Sequence, residues 1–231
     1  MGYEDLIDRA VKHFWQMRSL QKSSNKTELT NRGAVLGGKQ MDGFAELLKY
    51  VAMSENVPES CIMLRANYVP GYYRSSKNWD FMIVSPKGKL IALAEFKSQI
   101  GSYGNNFNNR AEEAIGSSVD FWTAFRENQF PMQQVPWLGY LMIVGNDKHS
   151  TVAVRNQTSL FNILPEFENA SYISRYQILC RKLLLERNYT SVALTWTTDD
   201  GSYGDVCDDL SIKNFLRSFS GYLKGVGHEF E

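Results

Sequence analysis

Apolar residues recur at helical spacing over residues 3–18, where Tyr3, Leu6, Ile7, Ala10, Val11, Phe14 and Trp15 form one stripe. A second stripe, Phe44, Leu47, Leu48, Val51 and Ala52, predicts a helix over 41–54, and Pro58 follows its end. Between them, residues 19–40 are polar, contain Gly33, Gly37 and Gly38, and read as a long loop. The period then changes. Cys61 to Leu64 is a short apolar run, and Pro70-Gly71 signals a turn. Trp79 to Val84 and Leu90 to Phe96 are strand-like and joined by Ser85-Pro86-Lys87-Gly88-Lys89, which predicts an antiparallel hairpin. In the second strand, alternation places Leu90, Ala92, Ala94 and Phe96 on one face. Ile91, Leu93, Glu95 and Lys97 fall on the other.

Helical spacing returns from Asn109 to Arg126, with Ala111, Ala114, Ile115, Ser118, Phe121, Trp122 and Phe125 on the stripe. Leu138 to Val144 is continuously apolar, as a buried strand is. A helix over 169–187, a strand from Val192 to Trp196 and a helix over 211–224 complete the pattern. The order predicts one α/β domain with a mixed central sheet flanked by helices. Within this single domain of residues 1–231, residues 1–40 are an N-terminal helix and polar loop. Residues 41–196 form the core, and 197–231 an acidic loop and C-terminal helix.

The length suits one large domain. No apolar run reaches the roughly 20 residues of a membrane helix, and the N-terminus lacks a signal-peptide pattern. Three widely spaced cysteines, Cys61, Cys180 and Cys207, give no disulfide framework and predict an intracellular, cytoplasmic setting without a membrane partner. The charge balance, 25 Lys+Arg against 25 Asp+Glu, argues against nucleic acid only until its distribution is considered. From Ser60 to Trp79 there are Arg65, Arg74 and Lys77 and no acid. From Gln21 to Gln40 there are Lys22, Lys26, Arg32 and Lys39 against Glu28 alone. These segments predict a basic face that meets a nucleic-acid backbone. The five aspartates of 199–209 read as a solvated acidic loop.

The candidate chemistry lies in the hairpin. Asp80 is followed, after fourteen residues, by Glu95-Phe96-Lys97. Alternation puts Glu95 and Lys97 on one face, and the hairpin brings Asp80 onto the adjacent strand. Two carboxylates suit Mg²⁺, and a lysine beside them suits water activation and phosphate charge. Charge ending an otherwise apolar strand is expensive without a purpose. Hairpin, amphipathic helix and apolar strand in this order make the core of the PD-(D/E)XK nucleases. Asp42 and Glu46, one turn apart on the second helix, are further candidate metal ligands, against the alternative of acidic residues favoured at a helix N-terminus. In the segment Gly101 to Arg110, Asn105, Asn106, Asn108, Asn109 and Arg110 suit base edges, with Asn109 equally fitted as a helix cap. Arg74, Lys77, Arg32 and Lys39 are candidates for phosphate contacts. Gly33 to Gln40 approaches a phosphate-binding P-loop but has Gln40 where a hydroxyl is needed. His13, His149 and His228 have no metal-ligand spacing.

The sequence resembles the XhoI family of type II restriction endonucleases. The strings that carry the resemblance are Met41-Asp42-Gly43-Phe44, Pro70-Gly71-Tyr72-Tyr73-Arg74, Lys77-Asn78-Trp79-Asp80 and Glu95-Phe96-Lys97-Ser98-Gln99. They continue in Gly104 to Ala114, Pro136 to Tyr140 and Pro165 to Phe167, and the whole resemblance spans about residues 33–210. It implies a prokaryotic, Mg²⁺-dependent homodimer that cuts a palindromic double-stranded DNA site of the CTCGAG type, with Asp80, Glu95 and Lys97 as the catalytic set. Trp79 stands where the general nuclease motif has proline. Two other readings compete: a non-catalytic DNA-binding subunit on the same scaffold, and a structure-specific repair nuclease.

Overall fold

The computed structural model describes residues 2–24, 39–65, 67–157 and 160–231. Three layers form: helices, a six-stranded sheet, and helices. The sheet runs β1 (Ile62–Met63), β4 (Phe81–Val84), β5 (Leu90–Gln99), β6 (Trp137–Gly145), β7 (Ser191–Thr197), β8 (Tyr203–Asp205). β5, β6 and β7 are parallel, and every other neighbouring pair is antiparallel, so the sheet is mixed as the sequence predicts. β2 (Asn67–Val69) and β3 (Lys77–Trp79) make a separate antiparallel ribbon.

One face of the sheet is covered by α1 (Tyr3–Ser24), α2 (Asp42–Ser54) and α6 (Ile212–Gly225). Phe14, Leu48, Phe215 and Phe219 from these helices meet Phe81, Ala92, Phe96 and Trp137 from the strands. The other face is covered by α3 (Tyr103–Arg126) and α5 (Tyr172–Leu185), with Phe121, Tyr176 and Leu183 packed on Leu93, Tyr140 and Leu194. Burial of both faces explains why β6, the central parallel strand, is apolar throughout and wholly buried. A short helix, α4 (Lys148–Thr151), follows β6 and starts with a reciprocal capping box between Asp147 and Ser150.

Several sequence expectations shift. The first helix runs to Ser24, because nothing between Arg18 and Ser24 breaks it, and expected loop residues 25–38, including Arg32, lie outside the described residues. The expected strand from Trp79 to Val84 is broken at Asp80, its first part belonging to the ribbon and its second to the sheet. The register of β4 on β5 slips between Ile83 and Val84, and this bulge moves Ile91 to the α1–α2–α6 face and Leu90 to the other. Alternation therefore holds from Ala92 onward and fails before it. The third helix begins at Tyr103, six residues before the expected Asn109. Its Asn-rich start is a poor helix former, so tertiary anchoring decides. Tyr103 is buried, donates to Asp147 Oδ2 at 2.7 Å and stacks on Tyr172. Asn109 is therefore inside the helix, and the capping alternative is overturned.

The acidic stretch 199–209 is more than a solvated loop. It holds β8; Asp205 accepts the N–H of Ile212 at the start of α6, and Asp209 takes a two-point contact from Arg181.

Gly139, in β6, tests the packing. A methyl group there would lie 2.9 Å from Phe215 Cζ and closer still to the indole of Trp137. Both rings are fully buried, so they cannot swing aside. Gly139→Ala is expected to destabilise the protein by about 1–3 kcal/mol, measured by urea unfolding.

Candidate active site

The site forms where β4 stops covering the edge of β5. Phe81 is the first residue of β4, paired with Ala94, and one residue earlier the Asp80 N–H still donates to the Ala94 carbonyl at 3.2 Å. There the chain bends away into the β2–β3 ribbon, while β5 continues to Gln99 paired only with β6. The next edge donor of β5, the N–H of Phe96, is met by Asp80 Oδ2 at 2.7 Å. The Asp80 carboxylate thus replaces the missing strand and is fixed at the opening. Among the described residues its other oxygen has no hydrogen-bond partner, and the residue is exposed. Surrounding protein mass, reinforced by the Glu95 charge, pushes its carboxyl above the ordinary value, against the Phe96 N–H and the two lysines.

Glu95 is the opposite case. It is 1% exposed, and three elements compensate it. Its Oε1 accepts Lys77 Nζ from β3 at 2.8 Å and Lys97 Nζ from β5 at 3.0 Å. Its Oε2 lies 3.2 Å from the hydroxyl of Tyr189, whose single proton is shared with the Ala114 carbonyl of α3 at 2.9 Å. Burial opposes the charge, but Lys97 and Lys77 together outweigh it and hold the Glu95 carboxyl below its usual range. Lys97 is likewise penalised by burial, yet Glu95, Asp80 and Glu113 raise it, so the ammonium stays charged. Lys77 is seated by the face of Trp79, 5.0 Å from the ring centre.

The network continues into α3. Lys97 lies 3.5 Å from Glu113, and Glu113 accepts Arg110 at 2.6 Å, one helical turn earlier. Asn105, Asn108 and Asn109 lie exposed on the first turns of α3, while Asn106 donates to the Ser102 carbonyl. Arg74 pairs with Asp120 of α3 at 2.7 Å. Tyr73, Arg74, Lys77, Glu95, Lys97, Glu113 and Asp120 line a common cleft.

A second depression is lined by Asp80 itself together with Asp42, Lys39, Arg65 and Asn78. Asp42 and Asp80 therefore share a wall. Glu46 instead faces the groove between α1 and α2, with His13 and Lys49. Among the described residues, no group of three His, Cys, Asp or Glu side chains could hold a metal ion. Asp80 and Glu95 remain as a pair, and Mg²⁺ is commonly held by one or two carboxylates with substrate phosphates and water completing its shell. One oxygen of Asp80 has no hydrogen-bond partner among the described residues and fits such a cation, whereas both oxygens of Glu95 are already engaged by Lys77, Lys97 and Tyr189 and would have to exchange a partner for it.

Sequence reasoning missed Tyr189, Glu113 and Asp120. Tyr189 carries no spacing signal, because it reaches Glu95 across 94 positions of chain. Glu113 and Asp120 do leave one: two carboxylates seven apart, flanking Gly116 and Ser117, share a helix face that meets the strand.

Residues 20–207 match the family model described as restriction endonuclease XhoI. The chain is 42% identical over 209 residues to the type II restriction enzyme BstVI of Geobacillus stearothermophilus, covering 86% of this chain and 93% of that enzyme. It is also 42% identical over 190 residues to the type II restriction enzyme XhoI of Xanthomonas vasicola, covering 80% and 76%. The type II restriction enzyme AbrI of Azospirillum brasilense is 38% identical over 149 residues, 62% of this chain and 66% of that enzyme. No solved structure gives a significant match. Among the described residues, no helix is long and apolar enough to cross a membrane. With a family model and full-length relatives in agreement over most of its length, the chain belongs to the XhoI family of type II restriction endonucleases, the DNA hydrolases of restriction–modification systems.

Proposed function

We propose that the chain is a divalent-metal-dependent homodimeric endonuclease that cuts both strands of a palindromic duplex site of the CTCGAG type. The observation that carries this reading is the open edge of β5, where Glu95 and Lys97 lie beside Asp80. The sheet with its two helical layers serves as a PD-(D/E)XK core, and all 231 residues act as one domain. Helices α1 and α6 support that reading, since both pack into the core beneath β5 and β6.

Asp80 and Glu95 would hold Mg²⁺, with Asp42 a further ligand from the shared wall and Glu46 turned to the other groove. A divalent ion bound there supplies charge for the phosphate oxygens and lowers the pKa of water. Lys97 Nζ donates a hydrogen bond to the attacking water and faces the phosphate charge as it builds. Water adds to phosphorus from one side and gives up a proton to a neighbouring water, while the P–O ester bond on the other side breaks and its oxygen takes a proton from solvent. Asp80, fixed by the Phe96 N–H, stands ready in the depression it shares with Asp42 without an ordering cost at the moment of reaction. Arg74, Lys77, Lys39 and Arg32 contact the sugar–phosphate backbone. Asn105, Asn108, Asn109 and Arg110 present donors and acceptors from α3 to base edges, with Asn106 beside them. Two copies related by a two-fold axis place one such site on each strand.

Plasmid digestion followed by sequencing of the ends tests the activity. Discrete fragments with one common end sequence are expected from the wild type. Asp80→Asn, Glu95→Gln and Lys97→Ala should bind the same site and cut it roughly 100-fold more slowly or worse. Cleavage only at branched DNA would point to a repair nuclease, and wild-type rates in the variants would remove these residues from the chemistry.

Metal dependence is a separate outcome. Mg²⁺ should support cleavage, Ca²⁺ should support binding without cleavage, and EDTA should stop turnover. Undiminished turnover in EDTA would end the metal assignment.

Sedimentation equilibrium should give twice the mass of one chain for the free protein, and two chains plus one duplex on DNA. A monomer in both conditions would contradict the two-site arrangement.

A further inference from the structure

Residues 70–76 join β2 to β3 and carry two exposed tyrosines, Tyr72 at 51% and Tyr73 at 71%. Large exposed aromatics on a connecting segment are ordinarily free to move. These are not. Asp120, a carboxylate of α3 with a 6% exposed side chain, reaches under the segment. Its Oδ1 accepts the N–H groups of Tyr72 at 2.9 Å and Tyr73 at 2.7 Å, and its Oδ2 accepts Arg74 Nε at 2.7 Å. Arg74 and the two backbone donors hold the Asp120 carboxyl below its usual range despite the burial that opposes the charge. Gly71 is part of the clamp, because a Cβ there would collide with the Asp120 carboxylate and with the Arg74 carbonyl at 2.9 Å. The two rings meet edge to face, with centres 4.9 Å apart at 82°. Tyr73 is thus backed by Tyr72 on a backbone that is already ordered.

Its location gives the fixed ring a use. Tyr73 lines the same cleft as Glu95 and Lys97, together with Arg74 and Lys77. Three cations, Arg74, Lys77 and Lys97, line this cleft with four acids, Glu95, Glu112, Glu113 and Asp120, and three of those acids are paired with the cations, so a phosphodiester enters by taking their place. Tyr73 and Lys97 face the same space. We infer that the Tyr73 ring, braced by Tyr72, packs on the sugar and on the partly unstacked base of a nucleotide flanking the scissile phosphate of duplex DNA. Pre-ordering by Asp120 removes the entropy that a mobile loop would lose on binding. An aromatic ring offers base contact without sequence demand, which complements the polar side chains of α3.

The inference rests on the endonuclease reading, and the test separates the two. Duplexes carrying the cleaved site are titrated in Ca²⁺ by fluorescence anisotropy, with 2-aminopurine placed in turn on either side of the cut. Tyr73→Ala is expected to weaken binding roughly 5- to 100-fold, the loss of one ring–base contact, and to abolish a 2-aminopurine change that the wild type gives. Tyr73→Phe should bind within about twofold of wild type, because the contact is the ring. Tyr73→Trp should change its emission on duplex addition, which reports the contact even if the alanine variant folds poorly. Unchanged affinity in Tyr73→Ala, or an equal loss in Tyr73→Phe, or an unresponsive Tyr73→Trp, overturns the inference. A Tyr73→Ala chain that sediments as a monomer without DNA, where the wild type is a dimer, assigns the ring to a second copy and overturns it too. A wild type that binds no duplex at all sinks the endonuclease reading instead.

Discussion

Glu95 is a carboxylate taken almost wholly out of water, with two ammonium groups on one oxygen and a phenol on the other. Removing such a charge from water costs several kcal/mol after relaxation, and an uncompensated one would protonate or unfold its surroundings. The compensating groups come from separate parts of the chain. Lys77 arrives on the β2–β3 ribbon, Lys97 from two residues along the same strand, and Tyr189 from the residues preceding β7. Each must keep its place for the charge to be tolerated. The ribbon, the sheet and α3, whose Ala114 carbonyl shares the Tyr189 hydroxyl, are tied together at this one group.

Asp80 shows what the same edge does when compensation is withheld. It sits one residue before β4, accepts a main-chain N–H and forms no ion pair among the described residues. The two carboxylates therefore differ in kind. One is buried and neutralised by lysines, and the other is open and pushed toward protonation by its surroundings and its neighbour. The charge pattern also reaches past the strand, since Lys97, Glu113 and Arg110 form a chain of contacts between β5 and the Asn-rich start of α3. A ligand that draws Arg110 away alters what Glu113 offers Lys97, so the start of α3 and the end of β5 are electrostatically coupled.

Much of this arrangement is legible in the sequence because it depends on local periodicity. Glu95 and Lys97 share a face since strands repeat every two residues, and the hairpin alone brings Asp80 near them. The errors arise where a non-local contact overrides the local pattern. One extra residue at Ile91 reverses alternation before Ala92, and no composition signal marks it. The start of α3 depends on Tyr103 docking against Asp147 and Tyr172, which propensity cannot anticipate in a segment rich in asparagine. Lys77 meets Glu95 across 18 positions and Arg74 meets Asp120 across 46, so residues assigned to a basic stretch prove to be engaged with buried acids. Their availability to a phosphate depends on exchanging one anionic partner for another.

The break in β4 gives the two helical layers a common meeting place. A complete strand would have walled α1 and α2 off from α3 along the whole edge of β5. Because the ladder ends at Asp80, its carboxylate is left in the depression lined by Asp42 and Lys39, where it still feels the charges of Glu95 and Lys97, which line the cleft on the α3 side. A charge placed at Asp80 is consequently felt on both sides of the sheet. The cost is an interrupted edge, and it is small. The Asp80 carboxylate takes the main-chain donor that the missing strand would have taken, so the sheet opens to its ligand without leaving that backbone group unpaired.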